Sequence, residues 1–129
     1  MNKINEKKKT ALPSEIADPL MEKARKDFNT WKSHNINKKK GFFIIYNDFV
    51  SNNILNNISG NALKLYIYLG IHSKNDTGES WHSSEKIAEY FNCDKRTINR
   101  WFKELEDKNL ICRIQKGYRR AGNSFLKPY

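Results

Sequence analysis

Hydrophobic residues recur at helical spacing on both sides of a short polar break in residues 83–110. The first stripe is Ile87, Ala88 and Phe91, and the second is Ile98, Trp101, Phe102 and Leu105. The break is Asn92-Cys93-Asp94. Ser83 and Asp94 stand where helix N-caps belong, because their side-chain oxygens can accept free amides of the first turn. The pattern predicts two amphipathic helices joined by a tight turn.

The polar positions of the second predicted helix, Lys95–Lys108, are basic. They are Lys95, Arg96, Thr97, Asn99, Arg100 and Lys103. This layout is typical of a helix-turn-helix whose second helix enters a DNA major groove. Arg96, Asn99 and Arg100 are candidates for base edges, since arginine pairs with guanine and asparagine with adenine. Lys95, Thr97 and Lys103 are candidates for phosphates. The alternative is a basic face that is only solvated.

After Leu110 the hydrophobic period changes from helical to extended. Ile111, Arg113 and Gln115 alternate with Cys112, Ile114 and Lys116, and residues 117–123 are rich in turn formers. Residues 124–127 can return as a partner strand, so the pattern predicts a β-hairpin, the wing of a winged helix. Arg119 and Arg120 at its tip would lie beside a phosphate backbone or in a minor groove. Otherwise the tip is a solvated hairpin end.

The middle of the chain supplies the predicted core. Residues 41–46 are aromatic and β-branched and predict a strand. Residues 47–57 predict a turn and one short helix that carries Phe49, Val50, Ile54 and Leu55 inward. Residues 61–73 are apolar around nearly the whole helix, which predicts a buried central helix capped by Ser59, with Tyr66 and Tyr68 as packing residues. Residues 79–81 predict a short strand beside the wing.

The first forty residues predict one helix between two lysine clusters. Asp18 and Pro19 favour a helix start, and the helix is expected over residues 19–33. Its apolar stripe is Leu20, Ala24, Phe28 and Trp31. The stripe must bury against its own domain, a second copy or another protein. A homodimer anchored by Phe28 and Trp31 is attractive, because two-fold dimers match pseudo-palindromic DNA sites.

Charge follows the predicted organisation of a basic arm, residues 1–40, and a winged domain, residues 41–129. The chain has 129 residues, enough for one core, and a formal net charge of +10. Residues 1–40 carry 11 basic and 5 acidic side chains, residues 41–78 carry 2 of each, and residues 79–129 carry 11 and 7. Charge concentrated on the arm and the motif favours a polyanionic partner. The lysine clusters at 7–9 and 38–40 would add salt-dependent affinity.

Several function classes are disfavoured by what the sequence lacks. No apolar run is long enough to cross a membrane, no secretory signal is expected, and a membrane partner ranks low. Two cysteines, Cys93 and Cys112, indicate a cytoplasmic protein. The histidines, His34, His72 and His82, have no carboxylate pair or zinc-type spacing beside them, and no phosphate loop is present. The chain is therefore not expected to be an enzyme or to bind a metal or cofactor.

Three segments resemble the winged-helix domains at the N-termini of RepA-type plasmid replication initiators and related helix-turn-helix regulators. They are FFIIYNDFV, ISGNALKLYIYL and WHSSEKIAEYFNCDKRTINRWFKELEDKNLI. The resemblance covers residues 42–126. It implies that Lys95, Arg96, Thr97, Asn99 and Arg100 are recognition-helix positions and that Arg119 and Arg120 belong to the wing. Those initiators usually continue into a second domain, so this chain is either a fragment or a stand-alone binder.

Together these patterns predict a mainly α protein with a small β-sheet: a winged helix-turn-helix preceded by a basic N-terminal helix. The expected function is sequence-specific binding of double-stranded DNA, as a transcriptional regulator or a replication initiator-type protein of a mobile element. One alternative is a single-stranded nucleic-acid binder that stacks bases on Tyr118, Trp81 and the wing. Another is a protein-interaction module in a replication or transfer complex.

Overall fold

The computed structural model describes residues 18–115 and 122–129. The chain divides into two compact units at Gly41, with Met1–Gly41 as the first and Phe42–Tyr129 as the second. Among the described helices, none has both the length and the apolar character needed to span a membrane.

The first unit contains helix α1, Pro19–Asn37. The predicted start is confirmed: Asp18 is the N-cap, and its carboxylate accepts the Leu20 amide at 2.9 Å. The helix runs to Asn37 instead of residue 33, because no glycine or proline interrupts residues 34–37. The rings of Phe28 and Trp31 lie 5.7 Å apart between centroids on its apolar stripe. What covers that stripe stays a prediction.

The second unit is mainly α-helical with a small sheet, as predicted. Its elements in chain order are α2 (Asp48–Ser51), a 3-10 helix (Leu55–Asn57), α3 (Gly60–His72), β1 (Glu79–Ser80), α4 (Ser84–Phe91), α5 (Lys95–Asp107), β2 (Ile111–Ile114) and β3 (Asn123–Leu126). The helix-turn-helix, the wing strands and the short strand before them all form where the sequence indicated.

The sheet has the order β1-β3-β2, and both pairings are antiparallel. Ile111 pairs with Leu126 and Ile114 with Asn123 in the wing, while Ser80 of β1 pairs with Ser124. Gly78 adopts a φ of +69° just before β1, and its carbonyl accepts the Leu126 amide at 3.0 Å. The left-handed turn at Gly78 therefore brings β1 onto the open edge of β3.

The core lies between α3, α4, α5 and the base of the wing. Its fully buried side chains include Leu65, Tyr66, Leu69, Ile87, Ile98, Phe102, Leu105, Leu110 and Ile111. Tyr66 is 2% exposed and its ring stacks on Phe49 at 5.4 Å, which confirms the predicted packing role. Burial, and after it the neighbouring Tyr129, raises the pKa of Tyr66 to about 12. The hydroxyl therefore stays protonated in the folded protein at neutral pH.

The predicted strand over residues 41–46 is wrong. The segment has no regular secondary structure and joins no sheet within the described residues. Two contacts hold the segment in place instead. Phe43 packs on α3, and the Tyr46 amide donates a hydrogen bond to the Tyr129 hydroxyl at 2.7 Å. A strand needs a neighbouring strand to pair with, and aromatic and β-branched composition alone does not supply one.

Two further burial predictions are only partly confirmed. Residues 47–57 form α2 and a 3-10 helix instead of one short helix, and only Phe49 is fully buried there. Val50 is 67% exposed, and Leu55 is also exposed. In α3, Ile67 and Ile71 face outward, so the helix is buried on most of its surface but not on all of it. A small domain does not have enough elements to surround one helix.

A carboxylate on α5 clamps the start of α3. Ser59 is the N-cap of α3, as predicted, and its hydroxyl accepts the Ala62 amide at 3.1 Å. Glu104 accepts hydrogen bonds from both the Ser59 amide and the Ser59 hydroxyl, each at 2.7 Å. The contact holds α5 against α3 through two residues that are 45 positions apart in the chain.

Gly70→Ala is expected to destabilise the domain because the Phe43 ring lies directly on this glycine. A Cβ at position 70 would come within 2.5 Å of three atoms of that ring. Overpacking costs about 1–3 kcal/mol, and the helix preference of alanine offsets about 1 kcal/mol of it. Urea unfolding should show a net loss of up to about 2 kcal/mol.

Gly60→Ala is the matched control, since nothing lies within 4 Å of a Cβ at that position of the same helix. It should leave the stability unchanged or slightly raised. The double variant Phe43→Ala/Gly70→Ala should show less than the summed loss of its two single variants, because the clash is then absent. Strict additivity would contradict the contact.

Candidate nucleic-acid interface

One asparagine and one aspartate set the turn between α4 and α5. Asn92 ends α4 in the left-handed region with φ 56°, which asparagine tolerates better than most residues. Asp94 then caps α5 by accepting the Thr97 amide at 2.8 Å. Ser83 caps α4 by accepting the Lys86 amide at 3.1 Å. Both predicted N-caps are confirmed, and the three-residue turn brings the helices into the helix-turn-helix arrangement.

Helix α5 has one buried face and one basic exposed face. Ile98, Phe102 and Leu105 are buried, and Trp101 is half-buried. The opposite face carries exposed Arg96, Asn99, Arg100 and Lys103, at offsets of three, four and seven residues. The acidic residues of the helix, Glu104, Glu106 and Asp107, all lie in its C-terminal half. Positive charge is therefore concentrated at the N-terminal half, where the helix dipole is also positive.

Three of the four basic side chains of α5 have partners within the described residues. Lys95 forms an ion pair with Glu85 of α4 at 2.9 Å, and Lys103 pairs with Asp107 at 3.5 Å. Arg100 donates to the Thr97 hydroxyl at 3.3 Å. Arg96 has no hydrogen bond or ion pair with the described part of the chain. Exposed pairs of this kind contribute about 0–1 kcal/mol, so a phosphate can compete for these cations.

The acidic groups around the turn are held ionised. The hydrogen bond to Lys95, above all, lowers the pKa of Glu85. The pKa of Asp94 is lowered by hydrogen bonds to Thr97, with smaller effects of Arg100 and Arg96. Both carboxylates therefore accept hydrogen bonds at neutral pH, and both carry negative charge beside the basic face.

Asp94→Asn is expected to weaken the acid sensitivity of folding. Because the pKa of Asp94 is lowered in the folded protein, its contribution is present above the unfolded pKa of about 3.9 and is lost as the pH falls through the lower folded pKa. Asparagine keeps the cap acceptor without the titration. Thermal unfolding between pH 6 and pH 2.5 (roughly the range in which carboxylates titrate) should show a smaller drop in Tm for the variant.

Asp76→Asn, the same chemical change in the loop before β1, is the matched control for the loss of one carboxylate. The smaller drop in Tm should be specific to the variant that changes the helix cap. An equal drop in Tm for the parent chain and Asp94→Asn would contradict the role of the ionised cap.

The wing strands are present, but the predicted wing contacts lie outside the described residues. β2 and β3 form the antiparallel hairpin expected from the alternation after Leu110. Arg119, Arg120 and Tyr118 fall within residues 116–121, between the two described segments. Their contacts with a nucleic acid stay predictions.

Sequence reasoning missed two polar residues behind the basic face. Ser84, the first residue of α4, is 6% exposed and its hydroxyl donates to Asn99 Oδ1 at 2.9 Å. Arg113 of β2 is half-buried, with its guanidinium carbon 3.9 Å from the Phe102 ring centroid, and it donates to the Ser84 hydroxyl at 3.5 Å. Arg113 shares a strand face with buried Ile111. A cation on the buried face of a predicted strand is the sequence signal that could have identified Arg113.

An aromatic cluster lies away from the basic face of α5. The Tyr68 hydroxyl and His82 Nδ1 share a hydrogen bond at 2.6 Å, and the rings of His72 and His82 are 4.5 Å apart. Burial, then His72 and Lys86, lowers the pKa of His82, so this histidine is neutral at neutral pH. Over residues 18–115 and 122–129, no group of three or more His, Cys, Asp or Glu could hold a metal ion.

Comparison with known proteins identifies the domain type. Residues 56–111 match the family model of a helix-turn-helix domain. A solved structure described as "Structure of Rep-DNA complex" is similar, with a TM-score of 0.51 and 21% identity over 73% of this chain and 80% of the other. A second, described as "N-Terminal domain of DNA binding protein", has the same score and identity and is covered over 79% of its length.

A comparison with curated proteins finds no significant match. The helix-turn-helix match falls on α3, α4 and α5 and ends at the start of β2. The similarity to the two solved structures covers 73% of the chain. Their fold agrees with the fold that the sequence resemblance implied. This chain therefore contains a winged helix-turn-helix domain, similar in fold to the Rep protein of that DNA complex.

Proposed function

We propose that this protein binds double-stranded DNA by inserting the N-terminal half of α5 into the major groove. The observation that carries the proposal is the shared exposed face of Arg96, Asn99, Arg100 and Lys103, opposite the buried face of the same helix. A helix that presents cations and an amide from its N-terminal half matches the geometry of recognition helices. The similar structure described as a Rep-DNA complex supports the same partner.

Each side chain has a proposed role. Arg96, Asn99 and Arg100 contact base edges, and Lys95, Thr97 and Lys103 contact phosphates. Arg119 and Arg120 of the wing contact the flanking backbone or minor groove. The acidic side chains in the C-terminal half of α5 repel phosphates, because like charges repel. Phosphates are therefore expected to approach only the N-terminal half of the helix.

The proposed biological role is transcriptional regulation or replication initiation on a mobile element, in the cytoplasm and without catalysis. Similarity to a Rep-DNA structure favours replication. A homodimer through residues 19–33 would let two α5 helices read the halves of a pseudo-palindromic site. Sedimentation of the double variant Phe28→Ala/Trp31→Ala tests this part, and an unchanged mass would remove the proposed contact.

Single-stranded nucleic acid is the second candidate partner, and Trp81 favours it. Its ring is 47% exposed, and Lys74 Nζ lies 5.1 Å from the ring centroid. An exposed aromatic ring beside a cation can stack a base and hold its phosphate. A protein-interaction role in a replication or transfer complex remains the third candidate.

Fluorescence anisotropy against random duplex and single-stranded oligonucleotides, repeated across a salt series, separates the three candidates. Each phosphate neutralised on duplex DNA should contribute a slope of about −0.9 in log K against log salt. Tight duplex binding with a steep slope supports the major-groove proposal. Preference for single strands supports the second candidate, in which Trp81 stacks a base. Binding to neither duplex nor single-stranded oligonucleotides overturns both nucleic-acid candidates.

A further inference from the structure

Three side chains from three elements form a connected polar chain behind the basic face. Arg113 of β2 donates to the Ser84 hydroxyl of α4 at 3.5 Å, and that hydroxyl donates to Asn99 Oδ1 of α5 at 2.9 Å. Ser84 is buried, whereas Asn99 is exposed on the face proposed to meet DNA. This series of hydrogen bonds therefore connects the wing strand β2, through the buried Ser84, to a candidate base-reading side chain.

The chemistry of the three groups fixes which end of the Asn99 carboxamide faces inward. A guanidinium has donors only, so the Ser84 oxygen accepts from Arg113 and its hydrogen remains available. Asn99 Oδ1 accepts that hydrogen. With the amide reversed, the Ser84 hydrogen would face two N–H donors, and the buried hydroxyl would lose its acceptor. The positive charge of Arg113 also favours the carbonyl oxygen over the amide nitrogen on this side.

We propose that Ser84 and Arg113 are positioning residues that hold the Asn99 amide nitrogen outward, so that Asn99 selects a base edge carrying a hydrogen-bond acceptor. This inference rests on the proposed function, since it assumes that α5 lies in a major groove. Guanine, adenine and thymine present acceptors there, at O6, N7 or O4, whereas cytosine presents its N4 amino donor. A carboxamide released from Ser84 can rotate and accept from cytosine, so the preference would be lost.

Selection of preferred sites from a random duplex library tests the inference. The parent chain, Asn99→Ala, Ser84→Ala and the double variant are compared position by position. Asn99→Ala identifies the base pair that Asn99 reads, and we expect Ser84→Ala to lose about tenfold discrimination at that same base pair. Preferences due to Arg96 and Arg100 should stay. In the Asn99→Ala background, Ser84→Ala should change no base preference further, since the two side chains act as a unit.

Ser83→Ala is the matched control, because it makes the same change one residue earlier. Ser83 is the N-cap of α4, where its hydroxyl accepts the Lys86 amide, whereas the hydroxyl that donates to Asn99 is that of Ser84. It should lower stability without changing base preference, which separates a loss of helix capping from a loss of positioning. Arg113→Met is a second variant that keeps an unbranched side chain over the Phe102 ring and removes the charge. It should broaden the preference at the base pair read by Asn99.

Two results would overturn the inference while leaving duplex binding intact. One is a Ser84→Ala variant that keeps the full preference at the Asn99 position, and the other is selection of cytosine there by the parent chain. Failure of the parent chain to bind any duplex is a different result, because it removes the proposed function itself. NMR relaxation of the Asn99 side-chain amide in the free protein then still reports whether Ser84 orders it, and an amide equally mobile in parent and Ser84→Ala contradicts the contact.

Discussion

Replacing Arg96 and Arg100 together with alanine is expected to reduce duplex affinity by roughly 2–6 kcal/mol, at about 1–3 kcal/mol for each arginine. Both side chains lie exposed on the basic face of α5, one turn apart. Their only hydrogen bond within the described residues joins Arg100 to Thr97 at 3.3 Å. The fold should therefore tolerate the change, and the loss should appear in binding alone. Anisotropy with a selected duplex measures it, and the salt slope should become shallower.

Lys108→Ala/Lys127→Ala is the matched control, because it removes the same charge outside that face. Lys108 is the C-cap of α5 and Lys127 follows β3. If this control weakens binding as much as the arginine variant, net charge and not the α5 face governs affinity. An unchanged Tm for the arginine variant is required for the comparison, since unfolding would also abolish binding.

Phe102→Ala is expected to cost about 3–5 kcal/mol of folding stability. Phe102 is 1% exposed at the centre of the core face of α5, and the Arg113 guanidinium lies over its ring. The substitution removes a large buried ring and leaves a cavity beneath a half-buried cation. Against a total of about 5–15 kcal/mol for a domain, this loss is a large fraction. Urea unfolding followed by tryptophan fluorescence should show the midpoint shift.

Phe42→Ala is the control for that experiment, because Phe42 is 70% exposed in the segment before α2. A surface change of this kind is expected to stay within about 0.5 kcal/mol. Equal losses for the two phenylalanines would contradict the position of the core between α3, α4 and α5. A loss confined to Phe102→Ala would also show that α5 depends on packing more than on its own helix propensity.

Local signals account for the parts of the fold that were predicted correctly. Asp18, Ser59, Ser83 and Asp94 were identified as N-caps because a cap needs only a side-chain oxygen and an amide two or three residues later. The basic face of α5 followed from helical periodicity alone, since offsets of three, four and seven place residues on one side. These features depend on neighbours within one helical turn.

Most of the wrong predictions concern contacts that are distant in the chain. Residues 41–46 have the composition of a strand, but they pair with none of the described strands. Val50, Leu55, Ile67 and Ile71 are apolar, yet their burial depended on whether another element covers them. Pattern identifies a residue that can be buried, whereas packing decides whether it is.

The sequence by itself determined the helix-turn-helix, its caps and the set of basic side chains on one face of α5, because all of these arise from interactions within a few residues. Tertiary structure alone decided how that face is supported. Ser84 reaches Asn99 across 15 positions, Arg113 reaches Ser84 across 29, and Glu104 reaches Ser59 across 45. Each pair forms only when two elements pack together, and no periodicity in the chain encodes which side chains then meet.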